Sequence, residues 1–350
     1  MRFIGSKGLL LDKIKKIIDE NINFNNNVPV FCDIFSGTAT VARNFKKDYK
    51  IISNDMIYFS YVLQMATIHN NKRLKFKKLD DYGIKNPFKY LENTDIYSTG
   101  FNDSDFFIYQ NYSPNDKNER MYFTSENAKR IDFIRLTIEK WNAQNLIDED
   151  EYYYLIMSLI EGVPYVSNIT GTYGAYLKHW DKRAFKNFKM IDIEVEDNGQ
   201  SNKCFNIDGN KLIDEISGDV LYIDPPYNNR QYIPNYHLLE TVAKYDYPNI
   251  YGKTGLRPYK EEKSDYCIAN KVNNAFEDLI NKANFSHIIL SYSTDGLMSV
   301  KDIESILKKY GKKDTYKLYK FAYRKYKSKH KQKTDKLKEL IFYIEKEEGA

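Results

Sequence analysis

Val30-Phe31-Cys32-Asp33-Ile34-Phe35-Ser36-Gly37-Thr38 is a short apolar run that stops at a glycine-bearing loop. Val41, Ala42 and Phe45 then recur at helical spacing, so the stretch predicts a strand, a tight loop and a helix. Upstream, Leu10, Leu11, Ile14, Ile17 and Ile18 share one face of an amphipathic helix that ends in the Asn-rich stretch before Val28. Downstream, Tyr49 to Ser53 predicts a second strand closing on Asn54-Asp55, and a second helix runs through His69. Such βαβα alternation implies a parallel sheet, because each crossover helix returns the chain to the same sheet edge.

From about Asn71 to Asn202 the alternation breaks into polar, aromatic-rich stretches, with helices expected near Ser125 to Asn142 and Glu151 to Gly162. This segment reads as an insertion. Parallel-sheet character resumes at Asp219 to Asp224 and at Phe285 to Tyr292, around a helix carrying Val272, Phe276 and Leu279. The Tyr/Lys-rich stretch Thr315 to Lys329 and the strand-like Leu340 to Ile344 suit an antiparallel hairpin, and Lys327 to Lys338 is the segment most biased towards disorder. The expected fold class is α/β, with residues 1–70 and 203–350 in one domain and 71–202 inserted as a mainly helical second. A chain of 350 residues with 42% hydrophobic content can bury a large core and a smaller one.

Bulk properties exclude more than they assign. Net charge is +5, but Lys301 to Ala350 holds 16 Lys or Arg against 8 Asp or Glu, which fits either a polyanionic partner or a solvated face. Cys32, Cys204 and Cys267 are far apart and lack Cys-x-x-Cys spacing, so neither a disulfide framework nor a metal site is implied, and a reducing cytoplasm fits. No signal-like apolar core and no membrane-length apolar run occurs, so no membrane association is expected.

Asp224-Pro225-Pro226-Tyr227 follows an apolar strand, which places it at the carboxyl edge of an open sheet, where such folds bind ligands. The Asp224 carboxylate and the Pro225 carbonyl can accept hydrogen bonds from an exocyclic amine whose lone pair is delocalised into its ring, favouring the pyramidal, nucleophilic form. Two prolines fix φ in succession and hold these acceptors at a set spacing. Tyr227 offers a flat face. A base drawn from a duplex costs a few kcal/mol, and stacking on an aromatic returns about 1 to 3 kcal/mol. The bland alternative is a Pro-Pro turn with Asp224 capping and Tyr227 packing.

Asp33 to Thr38 has a single glycine rather than Gly-x-Gly-x-x-Gly, so it suits a nucleotide-like cofactor without a pyrophosphate. Ala39 fits the loop provided that its φ is negative. Asp55, ending the second strand, can accept from ribose hydroxyls or serve as the N-cap of a helix starting at Met56.

Gly5-Ser6-Lys7, Asp33 to Thr38, Asp55 and Asp224 to Tyr227, in this order and with a long gap before the last, resemble the D12 class (Dam-like, alpha-group) of DNA adenine methyltransferases. The resemblance extends through Asn235 to Thr241, Gly252 to Arg257 and Leu290-Ser291-Tyr292-Ser293, covers nearly the whole chain, and looks like the type II restriction-modification branch. It implies a Rossmann-like S-adenosylmethionine-dependent fold with an inserted target-recognition domain. It also implies S-adenosylmethionine as methyl donor, double-stranded DNA as substrate and a cognate restriction endonuclease as partner. By that similarity Lys7 contacts the donor's carboxylate end, Phe35 packs on its adenine and Asp55 holds its ribose. Ser36, Gly37 and Thr38 line it. Asp208, before Gly209, takes the place of an acid for the donor's adenine N6, although Asp-Gly is also a routine turn.

Residues expected to meet DNA lie in three loops. Tyr173, Lys178, Trp180 and Arg183 belong to an aromatic, cationic segment that could equally be a packed surface loop; Asn228, Arg230, Gln231 and Tyr232 follow the tetrapeptide; Lys253 and Arg257 lie in a Gly-containing loop. His237 is expected to cap or pack. Methylation of RNA adenine, protein glutamine or cytosine N4 uses a related pocket, and a catalytically silent nucleic-acid-binding relative is the reading from another class. Asp rather than Asn or Ser at position 224 favours DNA adenine.

Overall fold

The computed structural model describes residues 7–24, 28–322 and 338–347. Among these, β1 (Val30–Asp33), β2 (Lys50–Asn54), β3 (Lys203–Phe205), β4 (Ser217–Ile223), β5 (Asn284–Ser293), β6 (Lys317–Ala322) and β7 (Lys338–Glu345) form one sheet in the order β3-β2-β1-β4-β5-β7-β6. The first five pair in parallel, and β7 runs antiparallel to both β5 and β6. This is the mixed, mostly parallel α/β sheet of the Rossmann-like kind expected from the sequence. The expected hairpin is present, but its second strand lies inside the sheet and its first strand at the edge. The part of the disorder-biased segment before Lys338 lies outside the described residues.

Strand order reverses between β1 and β4, which are direct neighbours with Asp33 opposite Tyr222. The loops leaving their carboxyl ends therefore lie side by side at the switch point of the sheet. Tight packing fixes β4 there: a Cβ on Gly218 would stand 2.8 Å from the side chains of Val30 and Phe285. Cys32, Ile34, Leu221 and Ile223 join Phe276 and Leu279 of the helix Val272–Lys282 in one core, with Leu290 and Phe342. Burial of β4 on both faces explains why its second half reads as an unbroken apolar run.

The described chain divides into two compact units. One, Lys7–Met56, Asn198–Gln231 and the residues from Glu261 onward, carries the sheet. The other takes Ile57–Asp197 and Tyr232–Lys260 and is largely helical. It therefore begins earlier than the loss of alternation at Asn71 suggests and includes the helix Ile233–Lys244. Packing gives the reason: Phe59, Val62 and Leu63 share a core with Leu155, Leu159, Leu238 and Val242. Glu240 also accepts hydrogen bonds from the backbone N–H groups of Tyr58 (3.1 Å) and Phe59 (2.8 Å), closing the start of the helix Tyr58–Gln64.

The two long helices of this unit begin at side-chain caps. Thr124 accepts from Asn127 N ahead of Ser125–Ala143, and Asp148 with Glu151 forms a capping box ahead of Glu149–Gly162. No helix among the described residues is long and apolar enough to cross a membrane.

Candidate active site

The loop after β1 is held from beneath by its own side chains. Ser36 Oγ lies 2.7 Å from the Asp33 carbonyl and 2.6 Å from Ser53 Oγ, and Ser36 N donates to the Asn54 carbonyl at 2.9 Å. Gly37, at φ 53, donates its backbone N–H to Asp55 Oδ2 at 2.8 Å. The helix that follows starts at Tyr58 with Ile57 as its cap, so the N-cap alternative for Asp55 is corrected: the carboxylate turns to the glycine loop. Thr38 pairs with the Thr40 hydroxyl at 2.9 Å. Ala39 has φ 55, contrary to the condition on which it was expected to fit without strain.

Asn54 draws a second segment to the same place. Its amide donates to the Ile34 and Ile207 carbonyls, both at 3.1 Å, while Asn206 donates to the Asp55 carbonyl at 2.8 Å. Asp208 follows two residues after Asn206, with Oδ1 accepting from the backbone of Asn210 (2.9 Å) and Lys211 (3.3 Å) as cap of a short helix. A Cβ on Gly209 would meet the Phe35 ring at 3.3 Å, so glycine lets that ring lie flat against the backbone. Phe35 also meets Tyr266, edge-on at 5.0 Å. Neither Asn54, Gly209 nor Tyr266 stood out in the sequence, because each acts by contact with residues distant in the chain.

Asp33, at the end of β1, is buried. Its Oδ2 accepts from Ala42 N at 3.2 Å, whereas Oδ1 has no hydrogen-bond partner among the described residues. Burial, with Asp224 nearby, pushes its carboxyl well above the ordinary range. An orphaned buried acceptor beside a glycine loop, an aromatic face at Phe35 and a carboxylate at Asp55 together suit a cationic nucleoside such as S-adenosylmethionine.

Asp224 follows β4 directly. Lys7 Nζ lies 3.3 Å from Asp224 Oδ1 and 3.3 Å from Glu339 Oε2, and stands 5.6 Å from the centroid of the Tyr227 ring. Burial works against the Lys7 charge, but Asp224 and Glu339 outweigh it and raise its pKa above the ordinary lysine value. The Asp224 carboxyl is pushed up to about 6, first by burial and then by Glu339, with Lys7 opposing. Tyr227 packs edge-on against Tyr292 at 6.2 Å, and its carbonyl accepts from Leu297 N at 2.9 Å. Gly296 makes that support possible, since a Cβ there would stand 2.2 Å from the Tyr292 ring. Pro225 is buried and Pro226 half-buried between these contacts.

The loop candidates separate by accessibility. Tyr173 is a correction: it is buried, its N–H donates to the Asn235 carbonyl at 2.8 Å, and its carbonyl accepts from Tyr122 Oη and His237 Nε2. Arg257 is a second, buried and donating both terminal nitrogens to Asp246 at 3.1 and 2.7 Å. Gln231 is engaged at both ends of its amide with the backbone of Ser264, at 3.0 and 2.9 Å. Arg183 folds back onto the Ile169 carbonyl and Asp181. Lys178, Arg230 and Lys253 are exposed; Trp180, Asn228 and Tyr232 are half-buried. Burial of the His237 ring holds its pKa down to about 4, so it packs as a neutral donor.

The family described as D12 class N6 adenine-specific DNA methyltransferase matches residues 3–306. The chain is 57% identical over 347 residues to the type II methyltransferase M.FokI of Planomicrobium okeanokoites, 46% identical over 347 to the modification methylase StsI of Streptococcus sanguinis, and 40% identical over 329 to the type II methyltransferase M.NlaIII of Neisseria lactamica. These alignments cover 99%, 99% and 94% of this chain; they cover 53% and 52% of the first two relatives, about half their length, and 93% of the third.

Proposed function

Because the chain belongs to the D12 class of N6 adenine-specific DNA methyltransferases, we propose that it methylates adenine N6 in duplex DNA as the modification enzyme of a type II restriction-modification system. The observation that carries this is the placement of Asp224, with Pro225, Pro226 and Tyr227, at the sheet switch point beside the loop Asp33 to Thr38. S-adenosylmethionine supplies an electrophilic methyl group. In the bound state Phe35 would pack on its adenine, Asp55 would accept from its ribose, Asp208 would meet its adenine amine and Lys7 its carboxylate end, while Ser36, Gly37 and Thr38 would line the floor.

Asp224 and the Pro225 carbonyl accept hydrogen bonds from the adenine amine and hold its lone pair out of the ring. In the in-line displacement the amine nitrogen forms the new N–C bond, the C–S pair returns to sulfur, and the surplus amine proton leaves towards Asp224. Tyr227 stacks on the extruded base.

The helical unit, Ile57–Asp197 with Tyr232–Lys260, serves in this scheme as the target-recognition domain. Lys178, Trp180, Asn228, Arg230, Tyr232 and Lys253 remain the DNA-facing candidates, and a cognate restriction endonuclease is the implied partner. The test is transfer of labelled methyl from S-adenosylmethionine to duplex DNA, with RNA and protein as controls, followed by digestion to nucleosides and mass identification. N6-methyl-2′-deoxyadenosine is expected, and Asp224→Ala should abolish it while DNA binding persists. Modified cytosine, or label only in RNA or protein, would sink the proposal.

A further inference from the structure

We infer that Glu339 adds to the donor site a negative charge that Lys7, shared with Asp224, does not balance, so that the protein tells S-adenosylmethionine from S-adenosylhomocysteine by charge. This rests on the methyl-donor role proposed above. Glu339 is the second residue of β7, whose residues Leu340 to Ile344 are all apolar and buried, and stands opposite Ser293 of β5. Unlike Lys338 and Glu345 at the two ends of the strand, it is a charged residue that is itself buried.

Its one ion-pair partner among the described residues is Lys7, which also serves Asp224. One ammonium therefore faces two carboxylates. Lys7 and Asp224 would cancel without help, so Glu339 is not needed to neutralise the pair. Burying a further carboxylate without a cation of its own is unfavourable unless something repays it. The methyl donor bears a sulfonium, an ammonium and a carboxylate, a net charge of plus one. After transfer the sulfur is a neutral thioether and the net charge is zero. A site with an excess negative charge binds the first more tightly and the second less, which favours exchange of product for fresh donor.

The test is calorimetric binding of two unreactive ligands to the full chain: S-adenosylhomocysteine, and sinefungin, which carries a protonated amine where the donor has its sulfonium. Glu339→Gln should weaken sinefungin about tenfold relative to S-adenosylhomocysteine, the effect of one unit charge at close range in a partly buried site. Glu339→Asp should preserve the wild-type ratio. The double variant Lys7→Met/Glu339→Met removes one charge of each sign, so it should also keep the ratio within about twofold even though both affinities fall; it serves if Glu339→Gln does not fold. Equal weakening of both ligands by Glu339→Gln, or loss of the ratio in the double variant, overturns the charge role and leaves the methyl-donor role standing. Failure of the wild type to bind either ligand defeats both.

Discussion

Ala39 occupies the left-handed region at φ 55, fully buried, between the glycine loop and the helix Thr40–Phe45. Non-glycine residues there carry strain of about 1–3 kcal/mol, and a β-branched side chain adds to it. Ala39→Val is therefore expected to lower stability by roughly 2 kcal/mol or more, while Ala39→Gly costs nothing, as urea unfolding would read. Asp224 makes a prediction about pH. Amine activation needs the carboxylate, and its pKa is raised to about 6, so kcat/KM should rise with pH through about 6 and level off above. A flat profile from pH 5 to 8 would separate the carboxylate from the reaction. Stability takes the opposite sign: the raised folded pKa means that the contribution of Asp224 is fully present below the ordinary carboxylate range and is lost as pH rises through about 6.

At the scale of elements, Asp132 shows how one side chain seats a helix. Buried in the helix Ser125–Ala143, it accepts from the backbone of Ile108 and Tyr109 (both 2.8 Å), at the start of the helix Phe107–Tyr112, and from Tyr245 Oη (2.5 Å). Asp132→Ala leaves three buried donors unmatched, so a loss of roughly 3 kcal/mol is expected in denaturant unfolding. Burial raises its pKa to about 7, and the folded state therefore holds its proton longer than the unfolded chain. The margin of wild type over Asp132→Ala should narrow as pH rises from about 4 to 7. His237 runs the other way: its folded pKa of about 4 means stability present above the unfolded value and lost as pH falls from about 6.5 towards 4. His237→Gln should show less acid destabilisation across that window.

These elements also mark what the chain discloses without coordinates. Strands β1, β2, β4 and β5 and the helices Ser125–Ala143 and Glu149–Gly162 are legible because apolar period and capping residues are local signals. The glycine loop, Asp55 and the tetrapeptide are legible as strand-end features, since each directly follows an apolar strand: β1, β2 and β4. Tyr173 and Arg257 are not, since aromatic and cationic composition does not say whether a side chain faces inward; each is held by a partner, at Asn235 and Asp246. Glu339 is beyond sequence reading, because its contact with Lys7 spans 332 positions and depends on sheet order.

For the molecule as a whole, two compact units have separate apolar cores, and every proposed donor contact lies in the one that carries the sheet. S-adenosylhomocysteine at a hundred times its Kd should stabilise that unit by about 2.7 kcal/mol. Hydrogen exchange should slow in β1, β2, β4 and the loops after them, and much less in Ser125–Ala143 and Glu149–Gly162. Uniform slowing across both units would contradict the assignment of the donor site.

β7 is the last strand among the described residues yet lies between β5 and β6. During synthesis on the ribosome β5 consequently keeps an open edge, and Lys7 waits without Glu339, until the segment Lys338–Glu345 has emerged. Unpaired edges are templates for pairing with other chains, so a nascent chain stalled before Lys338 is exposed to aggregation and lacks the carboxylate that completes the ion cluster. The same order delays completion of the proposed donor site until this strand is translated.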